Sequence, residues 1–127
     1  LDMFGETRTA AILAKAVAND AAGFDAFSAL RAATLGGAKA MGFDHLVGSI
    51  EPGKQADLAC VDLSALETQP LHHVVSQLIY ATGRQQVSDV WIAGKSKLSS
   101  RVLVDMDMDG IIANAKQWRG RIAAIGR

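Results

Sequence analysis

Apolar and polar positions along this chain divide it into helices first, short strands next and one terminal helix. The run T-R-T-A-A-I-L-A-K-A-V-A over 7–18 carries only Arg8 and Lys15 as charges. A helix that is apolar on most of its surface is normally covered on several sides. Leu1 to Gly5 reads as a loop leading into it, and Asn19, Asp20 and Gly23 end it. Asp25 is an N-cap for the next helix, where Phe27, Leu30 and Thr34 fall on one stripe. Thr34 is expected to end that helix and cap another over Leu35–Met41. Phe43 to Val47 is a connector. Glu51-Pro52-Gly53-Lys54 is a tight turn, because proline pre-sets φ at the first central position and Gly53 takes φ > 0 at the second. Asp57-Leu58-Ala59-Cys60-Val61-Asp62 is an apolar run between carboxylates, the pattern of a strand with a buried face. Leu63 to Gln69 is a polar surface loop. Gln86 to Ile92 is a part-alternating strand, and Ala93-Gly94-Lys95-Ser96 turns it into a partner over Lys97–Val104. From Asp107 or Asp109 to Ile125, the residues Ile111, Ala115, Trp118, Ile122 and Ile125 recur at +4, +3, +4 and +3, one helical face.

Composition narrows the function classes. The formal net charge is zero, and the basic face that a nucleic-acid partner would normally show does not appear in the sequence. Arg119, Arg121 and Arg127 suit the C-terminal end of a helix dipole, and Asp105, Asp107 and Asp109 suit its start. The sequence has no apolar run of the ~20 residues that a membrane-spanning helix needs. One cysteine, Cys60, rules out an internal disulfide and fits a reducing cytoplasm; within its apolar run it reads as a small buried hydrophobe. The chain opens on Leu1 rather than Met, as a processed product or a truncated piece would.

Candidate chemistry is sparse. His72 and His73 are adjacent and cannot both face one metal from a regular element; they read as satisfied polar histidines at a loop–strand junction. His45 stands alone in the connector. The Asp105, Asp107 and Asp109 alternation has no glutamate at the twelfth position of a calcium loop. Ser76 beside the histidines has neither a G-x-S-x-G turn nor an acid partner. Gly36-Gly37 lacks a phosphate-loop fingerprint, and tight helix packing accounts for it. On these residues alone, a non-catalytic α+β interaction module is an open reading.

The stretch G-S-I-E-P-G-K-Q-A-D-L over 48–58 resembles the segment near the C-terminus of metal-dependent amidohydrolases, where the last barrel helices give way to a small β-sandwich. Leu30–Gly42 resembles the family helix A-T-x-x-G-A-K-A-L-G, and V-S-D-V-W-I-A-G-K over 87–95 resembles the hairpin that closes the sandwich. Leu1–Glu6 is similar to the segment after the last metal ligand in the branch that deaminates methylthioadenosine, adenosylhomocysteine and related heterocycles, a branch related to triazine and ammeline hydrolases. In that branch the stretch matching 70–80 reads P-L-H-x-P-V-S-H-L-V-Y; here Val74 replaces its proline and Gln77 its second histidine. The resemblance implies an α+β fragment: terminal helices of a (β/α)8 TIM barrel over 1–42, part of the β-sandwich over 43–104 and a C-terminal amphipathic helix over 105–127. It further implies a parent hydrolase with a divalent metal, Zn or Fe, acting on C–N bonds of a purine-like or triazine-like substrate. No catalytic or metal-ligating residue is assignable in this chain, and no cofactor is expected in it. Met3 and Phe4, just past the metal-ligand loop, are the expected substrate-proximal residues. The implied partners are the preceding barrel segment of the same protein and a second copy, with no nucleic acid and no membrane.

Overall fold

The computed structural model describes residues 2–125; Leu1 and Arg127, which figure in the expectations above, lie outside them. Helix α1 spans Met3–Ala18. It begins earlier than the composition suggested, because the Asp2 carboxylate accepts from the amides of Phe4 (3.1 Å) and Gly5 (3.2 Å). That cap satisfies two otherwise orphaned donors, so the expected Leu1–Gly5 loop is already helix from Met3. Helix α2, Ala26–Arg31, is capped as expected by Asp25, whose Oδ1 accepts from the Ser28 amide at 2.8 Å.

Thr34 does not break the chain. The backbone runs from α2 through a π turn, Ala32–Gly36, into α3, Gly37–Ala40, with helical dihedrals at every junction. Thr34 turns its hydroxyl back onto the Leu30 carbonyl at 2.8 Å instead of forward onto a new helix start. A back-bonded threonine inside a helix commonly accompanies bending rather than termination.

Three helices pack together. Ala11 of α1, Ala26 and Ala29 of α2 and Ile79 of α4 (Val74–Tyr80) are buried against one another, with Leu30, Val75 and Tyr80 around them. Small residues at the contact let the backbones approach closely. Arg8 fastens α1 to the end of α4: its Nε donates to the Ile79 carbonyl at 3.1 Å and its Nη2 to the Thr82 carbonyl. A cation at the last carbonyls of a helix is favourable for the dipole as well as for the hydrogen bonds. Thr82, fully buried, donates its hydroxyl to the Gln77 carbonyl.

The loop after α3 gives most residues of the G-x-I-E-P-G-K stretch a local role. Gly48 has φ +94, and a Cβ there would stand 2.7 Å from the Ala38 Cβ and 2.9 Å from the Leu35 Cα, so only glycine lets the loop lie on the helix. The Glu51 carbonyl accepts from the Lys54 amide at 3.2 Å across the Pro52-Gly53 turn. Lys54 folds inward and donates to the Asp44 carbonyl and the Ser49 hydroxyl, both at 2.6 Å. Ser49 in turn donates to Glu51, and that hydroxyl, then Lys54, lowers the Glu51 pKa. Asp57 accepts from the Ala93 amide at 2.6 Å and the Ala56 carbonyl accepts from the Gly94 amide at 3.0 Å. The stretch thus joins the helical layer to the hairpin of the sheet.

That sheet is an antiparallel meander in the order β1-β2-β3-β4, with β1 Leu58–Val61, β2 Val87–Ile92, β3 Lys95–Ser99 and β4 Val102–Leu103. Ala93 and Gly94, at φ 49 and 75, form the two-residue turn between β2 and β3, the geometry that matches strand twist. The single strand expected over Lys97–Val104 is instead two, because Ser100 and Arg101 both take positive φ (47 and 65) and reverse the chain again. Polar anchors hold this turn: the Ser100 amide donates to Asp89 at 3.0 Å, the Arg101 amide to the Ser88 carbonyl at 2.8 Å, and the Arg101 guanidinium to Asp62 at 2.9 Å. Cys60 is exposed, not buried, because β1 lies at the edge of the sheet and no layer covers it among the described residues. The expected 63–69 loop contains a 3-10 turn, Leu66–Thr68, that buries Thr68. Helix α5, Met108–Ile125, starts after Asp107, whose carboxylate accepts from the Gly110 amide at 2.9 Å. Every residue of α5 except Gly110 is exposed.

Candidate functional site

Met3 and Phe4 sit at the start of α1, beside the Asp2 cap. Helical geometry separates these two residues. Phe4 shares its face with Arg8, Ala11 and Lys15, the face that packs on α2 and α4, and it is half-buried. Met3 shares its face with Glu6, Thr7 and Ala10, and 67% of its surface is exposed. On that side a groove of about 320 Å³ lies between α1 and α2, lined by Met3, Glu6, Thr7, Ala10, Phe24, Ala29, Ala32 and Ala33.

Phe24 and Glu6 are residues that the sequence reading passed over. Phe24 has φ 49, an unusual conformation for a bulky side chain. It follows Gly23, and no local pattern signals that it is the phenylalanine, and not the glycine, that turns left-handed. The groove is otherwise apolar, with one carboxylate, Glu6, and one hydroxyl, Thr7. The Thr7 hydroxyl is already committed to the Met3 carbonyl at 2.7 Å. The groove can therefore receive apolar matter, but it holds no nucleophile–base pair.

Other sequence candidates are used structurally or stand apart. His73 is the N-cap of α4: its Nδ1 accepts from the Ser76 amide at 3.1 Å. This corrects the expected loop–strand junction to a loop–helix junction. The same bond holds the imidazole against its own helix, and Ser76 takes part through its backbone amide. His72 and His45 are exposed. Asp107 caps α5. Among the described residues no three His, Cys, Asp or Glu side chains converge to hold a metal ion, so the residues present do not form a site for the divalent metal that the resemblance implies. Among those residues, too, no helix is long and apolar enough to cross a membrane.

Comparison with known proteins places this scaffold in a family. The chain is 48% identical over 124 residues to the 5-methylthioadenosine/S-adenosylhomocysteine deaminase of Teredinibacter turnerae, a match that takes in 98% of this chain but 28% of that protein. The corresponding enzyme of Moorella thermoacetica is 39% identical over 113 residues, 89% of this chain and 26% of its own length. Among solved structures, an adenosine deaminase from Xanthomonas campestris with bound zinc superimposes with a TM-score of 0.94 at 72% identity, over 96% of this chain and 28% of that one. An atrazine chlorohydrolase from Arthrobacter aurescens complexed with zinc superimposes at 0.81 with 27% identity, over 90% of this chain and 25% of its own. The chain thus spans about 28% of the length of the first of these relatives. The family model described as "Amidohydrolase family" matches residues 1–97, and the chain belongs to that family.

Proposed function

We propose that this chain is the C-terminal portion of a metal-dependent hydrolase that removes an amino group from a purine-like or triazine-like heterocycle. One observation carries the reading: nearly all of the chain aligns with deaminases of methylthioadenosine and adenosylhomocysteine, and it aligns with only about a quarter of their length. The divalent metal, zinc or iron, and the groups that bind it belong to the remainder of that polypeptide. When bound, such a metal makes hydroxide available near neutral pH. The residues of this chain supply the frame. Asp2 fixes the start of α1, Arg8 locks α1 onto α4, and Met3 presents an apolar side chain at the end of α1 nearest to the ligand-bearing segment in the sequence. Met3 is the residue of the pair that faces the substrate, with Phe4 beneath it as packing. The protein works in the cytoplasm and as an oligomer.

The exposed side of α1 supports the same reading. Met3, Ala10, Leu13 and Val17 form a continuous exposed stripe that runs on from the groove. A free-standing interaction module is the weaker alternative, because the family match runs from the first residue through β2 into β3.

A panel assay tests the proposal. The full-length polypeptide is incubated with 5-methylthioadenosine, S-adenosylhomocysteine, adenosine and an aminotriazine, and ammonia release is followed. Turnover of at least one of these, with KM raised and kcat little changed in Met3→Ala, is the expected result. No ammonia from any of them by a metal-loaded protein would overturn it.

A further inference from the structure

We draw no further inference here: the strongest candidate, the apolar groove between α1 and α2 with Glu6 as its one carboxylate, belongs to the site already described, and nothing in the structure shows what fills it.

Discussion

The stretch from Gly48 to Asp57 and helix α5 are opposites. In the first, most side chains with something to offer have found a partner within the chain. Lys54, with 13% of its side chain exposed, serves a carbonyl, a hydroxyl and a carboxylate. Gly48 rests on α3, and Asp57 holds the hairpin. In α5 the cap is made, the ladder is complete, and the apolar seam faces outward. The comparison separates two kinds of sequence signal. A motif most of whose polar residues are consumed locally reports on the architecture of this chain. A periodic apolar face without a neighbour reports on something beyond it.

Substitutions sharpen that contrast, and the largest effect belongs to Gly48. Gly48→Ala adds a Cβ into backbone at a positive φ, and an alanine there should cost about 2–4 kcal/mol, read as a fall in the denaturant midpoint. Arg8→Met comes next, leaving the Ile79 and Thr82 carbonyls without their donor at a part-buried contact. A loss of about 1–3 kcal/mol is expected, and equal stability to wild type would mean that water replaces the guanidinium freely. Lys54→Met should cost about 1–2 kcal/mol and loosen the 44–54 loop in hydrogen exchange.

A smaller effect is a pH dependence. The Ser64 hydroxyl and amide, and then the Arg101 guanidinium, hold the Asp62 carboxyl well below the usual carboxylate range. A carboxylate whose folded pKa is depressed contributes its stability above its unfolded pKa and loses it as pH falls through the folded one. The contribution is therefore complete at neutral pH and fades only below about pH 4. Asp62→Asn should lower stability at neutral pH and flatten the acid limb of the unfolding profile; an unchanged acid limb would exclude Asp62 as its source. The smallest effect is expected at Trp118, where Trp118→Ala should shift the unfolding of the helical cluster by no more than about 0.5 kcal/mol, since the residue is 60% exposed and is not among those packed on that cluster.

How far the sequence could be read follows the same divide. The Glu51–Lys54 turn, the Asp25 cap and the α5 seam were legible because each depends on chemistry within a few residues; the hairpin turn expected over Ala93–Ser96 was legible in place but is tighter, since Lys95 and Ser96 already belong to β3. The family was legible in the 48–58 stretch because so many of its residues have obligatory local jobs. Cys60 was misplaced because an apolar run tells that a strand can be covered, not that a cover is present. The Ser100–Arg101 reversal was invisible because neither residue favours positive φ; distant Asp89, Ser88 and Asp62 impose it. Thr34 looked like a boundary, but its hydroxyl bonded backwards. Of the two expected substrate-proximal residues, only Met3 opens onto the groove, and the neighbours it shares there, Glu6 and Phe24, are brought together by packing between helices.

The central claim is that this chain frames a metal-dependent reaction whose ligands lie elsewhere in the polypeptide. The most direct measurement is bound-metal content and ammonia release, taken side by side on the 127-residue chain and on the full-length protein. The account predicts about one divalent metal per chain and turnover in the full-length protein, and neither in the shorter chain. Tight stoichiometric metal and turnover in the 127-residue chain alone would contradict it.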